Sequence, residues 1–98
     1  MFPFDQFKRV VAGSGLSKTE LSKVYGVSRQ TIYGWLDGTP PKAGSYTERM
    51  AITITRGITA AIRTGALPMQ AVAAGERKRR VRKMAATLQA LKPEPVPE

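Results

Sequence analysis

Residues 17–38 read Ser17-Lys-Thr-Glu-Leu-Ser-Lys-Val-Tyr-Gly-Val-Ser-Arg-Gln-Thr-Ile-Tyr-Gly-Trp-Leu-Asp-Gly38, and the architecture of the chain is written there. Ser17 with Glu20 makes a capping box, in which the serine hydroxyl accepts from the N3 amide and the glutamate reaches back to the N-cap amide. A helix therefore runs from there to about Tyr25, with Leu16 placed as a hydrophobic staple. Gly26 ends it, since glycine enters the left-handed conformation without steric cost. After Val27, Ser28 is a second N-cap and opens a segment through about Leu36, which Asp37-Gly38 closes.

A short turn with glycine at its start makes two helices cross steeply, so their inner faces must supply interlocking apolar groups. Leu21, Tyr25, Val27, Ile32, Trp35 and Leu36 meet that requirement, and Ser22 is the small residue expected at the closest approach. Trp35 belongs to the core, and Thr31 is packed or locally bonded. This pattern resembles the helix-turn-helix of the lambda-repressor-like family (Cro and XRE-type regulators), over about residues 4–64. That family usually carries alanine where this chain has Ser22. The Pro40-Pro41 loop and the β-branched fourth segment also depart from it.

The resemblance implies that the helix beginning at Ser28 is a recognition helix, entering the major groove by its N-terminal end. Its outward positions are Ser28, Arg29, Gln30, Tyr33, Gly34 and Asp37. Their chemistry fits independently: arginine pairs with guanine O6/N7 and glutamine with adenine N6/N7. Tyr33 can pack on a thymine methyl or reach a phosphate, and Gly34 lets a DNA backbone come close. Ser28, Arg29, Gln30, Tyr33 and Gly34 are the expected base-reading set. Lys18 and Thr19 would face a phosphate at the start of the preceding helix, with Lys42 in the next loop as a further phosphate contact.

Outward from this unit, Phe4, Phe7, Val10 and Val11 predict a helix over 4–13, stopped by Gly13-Ser14-Gly15. Thr39 to Gly44 is a proline- and glycine-containing loop. Ser45 with Glu48 is another capping box. Tyr46, Met50, Ile54, Ile58 and Ile62 then recur every fourth residue and predict a helix over 46–64, ended by Gly65. The alternation Ile52-Thr-Ile-Thr55 leaves a strand open as the rival reading. Pro68 can start a last helix running to about Leu91, with Gly75 a weak point. Lys92-Pro-Glu-Pro-Val-Pro-Glu98 is expected to be an extended, flexible tail. The fold class is thus all-α, a small helical bundle over 1–66, with a basic amphipathic helix over 67–91 and a disordered tail over 92–98.

Residues 77–83, Arg-Lys-Arg-Arg-Val-Arg-Lys, hold six positive charges in seven positions. On a helix, Lys78, Arg79, Arg82 and Lys83 share one broad side and are expected to contact DNA phosphates. Val81, Met84, Leu88 and Leu91 line the opposite side at alternating three- and four-residue spacing. Arg77 lies one turn ahead of that apolar seam. The seam is expected to join two copies of the chain, with folding back onto the N-terminal helices as the alternative.

Composition bounds the rest. The 98 residues carry 16 Lys+Arg against 7 Asp+Glu, a net charge of +9, with no His and no Cys. That excludes an imidazole base, a thiolate nucleophile, a disulfide framework and the usual zinc sites. The carboxylates are scattered, with no pair placed for acid–base or two-metal work. No catalytic residue, metal or cofactor is therefore expected, and the chain reads as a non-enzyme. The core of so small a domain has little room for a cavity of about 300 Å³ or more.

The start lacks the basic and apolar regions of a signal peptide, and no stretch approaches the ~18 apolar residues of a membrane span. A soluble cytoplasmic protein, nucleoid-associated in a bacterial host, is the expectation. The charge points to nucleic acid first and an anionic membrane second; the seam is short for membrane binding and has no aromatic anchor. The sequence predicts a double-stranded-DNA-binding transcriptional regulator, most simply a homodimeric repressor of phage or bacterial type. The alternatives are a DNA-packaging component like a small terminase subunit and an architectural or excision factor.

Overall fold

The computed structural model describes residues 2–68 and 73–91, and among them every regular element is a helix. In chain order these are α1 (Phe4–Ser14), α2 (Lys18–Tyr25), α3 (Arg29–Leu36), α4 (Tyr46–Arg63) and α5 (Ala74–Gln89). The caps explain the starts of α2 to α4. The Glu20 amide donates to Ser17 Oγ at 3.1 Å and the Ser17 amide to Glu20 Oε1 at 2.8 Å, a complete capping box. Ser28 accepts from the Thr31 amide at 3.1 Å. Ser45 accepts from the Glu48 amide at 3.2 Å, but Glu48 Oε1 takes the amide of Gly44 at 3.0 Å, one residue earlier than a capping box requires. Gly26, at φ 70°, turns the chain from α2 toward α3.

The strand alternative for 52–55 does not occur. Ala51, Ile54, Thr55 and Ile58 are buried along one helical face of α4, while Ile52 and Thr53 are half-buried. A strand there would leave its backbone groups without a neighbouring strand to pair with. The last helix begins at Ala74 and not at Pro68. The chain after α4 folds back instead, with the amides of Ala66 and Leu67 both donating to Ala61 O and Leu67 buried. The tail expected over 92–98 lies outside the described residues.

An aromatic nest holds the first three helices together. Phe2, Phe7, Tyr25 and Trp35 are all buried. The Phe7, Tyr25 and Trp35 rings meet edge to face at 5.6–5.7 Å, and Phe2 lies 5.3 Å from Trp35. Such pairs add about 0.5–1.5 kcal/mol each beyond the area they bury. Ala51, Ile54 and Ile58 of α4 complete the core. The Tyr25 hydroxyl and Thr55 Oγ1 hydrogen-bond at 2.7 Å inside it. Burial raises the Tyr25 phenol well above its usual pKa, against the opposing hydrogen bond from Thr55.

Helix α5 belongs to the same core, so the boundary expected between 66 and 67 does not separate two units. Val81 and Leu88 are buried in one cluster with the residues of α1 to α4. Leu88 sits over Gly57 of α4, where even a methyl group would collide with its Cδ2. The apolar seam is therefore filled from within the chain, which corrects the reading of Val81, Met84 and Leu88 as an oligomer seam. Met84 is half-buried on the same cluster, and Leu91 alone is left 49% exposed.

Polar bonds fasten α5 at both ends of α2. Arg77 donates to both Glu20 oxygens at 2.7 and 2.9 Å and to Gly15 O at 2.7 Å. Gln89 donates to Lys23 O at 2.8 Å and Val24 O at 3.0 Å, carbonyls of the last turn of α2.

Candidate nucleic-acid interface

The turn between α2 and α3 sets which side of α3 meets solvent. Ser22 is buried where the two helices converge, and its hydroxyl is spent on Thr19 O at 2.7 Å. Ile32 and Trp35 point inward. The opposite side of α3 presents Arg29, Gln30 and Tyr33 to solvent, with Tyr33 48% exposed. Arg29 has no ion pair among the described residues. Gly34 is half-buried, and a Cβ there would meet no other atom of the chain within 4 Å. Packing within the chain therefore does not require glycine at this position.

Ser28, in the expected base-reading set, also has a local structural role. Both the amide and the hydroxyl of Thr31 engage the Ser28 hydroxyl, at 3.1 and 2.9 Å. Ser28 thus starts α3, and its exposed hydroxyl keeps either its proton or a lone pair for a further partner.

Two of the expected phosphate-contacting lysines flank this side. The Lys18 ammonium stands 5.9 Å from the centre of the Tyr33 ring, within the range of a cation–π contact. Lys42 lines one depression with Gln30, Gly34 and Pro41, about 520 Å³ in volume. Thr19 is exposed on the first turn of α2. Asp37 is exposed at the far end of α3, away from the N-terminal residues that would lead into a groove.

The cations of α5 divide into two groups. Glu76 pairs with Arg79 one turn on and with Arg80 at 3.3 Å, so Arg79 is partly neutralised within its own helix. Lys78, Arg82 and Lys83 are exposed and make no ion pair among the described residues. Lys78 also shares a depression of about 660 Å³ with Ser17, Thr19 and Lys23 of the α2 region.

Lys23, Arg77 and Gln89 carry no helix-turn-helix signature, and spacing along the chain could not have paired Arg77 with a glutamate 57 residues away. The pairing matters electrically: Arg77, chiefly by its hydrogen bonds, holds the Glu20 carboxyl below the usual carboxylate range.

A larger open groove of about 880 Å³ lies between α1 and the end of α4, lined by Phe4, Val10 and Ile62 with Arg9 and Arg63. It is a surface feature and takes no room from the core. No group of three or more potential metal ligands occurs among the described residues, and no described helix is long and apolar enough to cross a membrane. No family model, curated protein or solved structure matches the chain.

Proposed function

We propose that the chain is a sequence-specific double-stranded-DNA-binding transcriptional regulator, most simply a repressor, that reads the major groove with α3. The observation that carries this reading is the solvent side of α3, where Arg29, Gln30 and Tyr33 stand exposed between Lys18 and Lys42. The net charge of +9 supplies the attraction to a polyanion that such a face needs. The likeness of residues 17–38 to lambda-repressor-like regulators favours a phage or bacterial setting. Arg29 and Gln30 are assigned to base edges, Tyr33 to a thymine methyl or a phosphate, and Lys18, Thr19 and Lys42 to the backbone. No catalytic step or cofactor is part of the reading.

One helix-turn-helix covers only a few base pairs, so two copies on half-sites about 34 Å apart would provide operator specificity. They would meet through a surface other than Val81 and Leu88, which are buried within the chain. Selection from a random duplex pool at about 150 mM salt tests the proposal, because purely electrostatic binding is weak there. The expected result is an enriched inverted repeat, with Arg29→Ala relaxing one position at a cost of about 1–3 kcal/mol. Recovery of no motif, with binding confined to low salt, would overturn sequence-specific recognition.

A further inference from the structure

A stripe of polar residues runs along the side of α5 that borders α2. Lys78, Arg82 and Gln89 stand at i, i+4 and i+11, which places all three on one helical face. Its two ends are placed by a shared depression and by hydrogen bonds. Lys78 lines the depression that Thr19 and Lys23 also line, and Gln89 bonds the last-turn carbonyls of α2. Arg82 lies between those points and is exposed, and so is Lys23 on α2. Lys23, Lys78 and Arg82 therefore border one edge, beside the first turn of α2 where Thr19 is expected to meet a phosphate.

Glu20 would spoil this edge if it were unpaired, since its carboxylate lies next to Thr19. Arg77 answers it with two hydrogen bonds and anchors the start of α5 to Gly15 O by a third. Arg77 thus does two things at once: it removes a like charge from the path of a phosphate strand and sets where the cations of α5 stand. Exposure separates the roles, because the Arg77 side chain is 33% exposed and engaged, whereas Lys78 is exposed and makes no ion pair among the described residues.

We propose that α5 forms a second wall of the DNA-binding surface, in which Lys23, Lys78 and Arg82 follow the phosphate backbone beside α2 and Arg77 is the positioning residue that aligns them. This rests on the DNA-binding reading above and extends it from the recognition helix to the backbone. Arg79 is outside the wall, being paired with Glu76.

The test uses the full chain, its selected duplex and a scrambled duplex, with Kd measured from about 50 to 300 mM salt. Lys23→Ala/Lys78→Ala should make the plot of log affinity against log salt shallower by about 0.9 for each phosphate no longer neutralised, equally on both duplexes. Arg77→Met should weaken both duplexes and flatten the slope, although Arg77 itself touches no phosphate. Arg77→Lys, which keeps the charge but not the two-pronged pairing, should recover part of the loss. Far-UV helix content and Trp35 emission should stay at wild-type values in the lysine variants.

An unchanged slope in the double lysine variant would overturn the wall even if Arg29→Ala abolishes discrimination between the duplexes, and the recognition helix would then stand alone. A flattened slope with discrimination untouched by Arg29→Ala would keep the wall and remove the base-reading role of Arg29. Loss of binding to phosphatidylserine vesicles in the lysine variants, with DNA affinity intact, would overturn the proposal in favour of a membrane surface.

Discussion

Replacing Tyr25 by phenylalanine removes one buried hydroxyl and should reverse the alkaline end of the stability profile. At neutral pH the change deletes the 2.7 Å bond to Thr55 and strands the Thr55 hydroxyl in a site with no solvent access. A buried group left unsatisfied costs about 1–3 kcal/mol, so Tyr25→Phe should lose about 2 kcal/mol at pH 7. The effect of high pH has the opposite sign. In the unfolded chain the phenol ionises near its ordinary value of 10.0, whereas burial holds the proton on well beyond that in the folded chain. Above pH 10 the unfolded state therefore binds fewer protons, and wild-type stability falls by about 1.4 kcal/mol per pH unit from this group.

Phenylalanine has no proton to lose. The two stability curves should then converge above pH 10 and cross between about pH 11 and 12, given the slope and the neutral-pH loss just estimated. Urea unfolding followed by far-UV ellipticity, from pH 7 to 11.5, measures the difference directly. Every other side chain is common to the two proteins, so the difference isolates position 25. A difference that stays constant across that range would refute the argument, because the folded chain would then be releasing the Tyr25 proton as easily as the unfolded one. Tyr25→Phe/Thr55→Val should cost less than the sum of the single changes, as both partners of the bond are gone.

Two further outcomes follow from the docking of α5. Gly57→Val should lower the thermal midpoint, because overpacking against Leu88 costs about 1–3 kcal/mol; an unchanged midpoint would refute the tight contact between Leu88 and Gly57. The Glu20–Arg77 pair should contribute stability above the ordinary carboxylate value of 4.5 and lose it as pH falls below, since pairing lowers the Glu20 pKa in the folded state alone. Unfolding of wild type and Glu20→Gln between pH 6 and 3 should accordingly converge toward low pH, and parallel curves would exclude the pair as their cause.

The elements were legible because their signals are local. Ser17, Ser28 and Ser45 each cap the helix whose start they announce, and Gly26 adopts the positive φ that its place predicts. The β-branched run of α4 was ambiguous over four residues but not over eighteen, where Ala51, Ile54, Thr55 and Ile58 fall on one face. The outward side of α3 was readable for the same reason, as the inward positions of Ile32 and Trp35 fix the rest. The bond between the Ser28 and Thr31 hydroxyls is a detail that an N-cap serine does not announce by itself.

What lay beyond the sequence was the partner of each surface. Periodicity reveals that α5 has an apolar face, but a face on α2 and α4 and a face on a second copy have the same spacing. The deciding contacts join Arg77 to Glu20 and Leu88 to Gly57, across long separations. The hydrogen bond between Tyr25 and Thr55, 30 residues apart, was hidden for the same reason.

The bonds of α5 to both ends of α2 also bear on how the molecule breathes. A helix of eight residues is too short to persist by itself in water, so α2 takes much of its persistence from its neighbours. With Arg77 bonded near its first turn and Gln89 bonded to its last, α2 cannot fray at either end while α5 is seated. Amide exchange in the two helices should then report a single opening event, with α2 amides becoming labile when α5 lifts. Helix α3 follows α2 after only Gly26, Val27 and the N-cap Ser28. Its orientation is therefore governed in part by the seating of a segment much further along the chain.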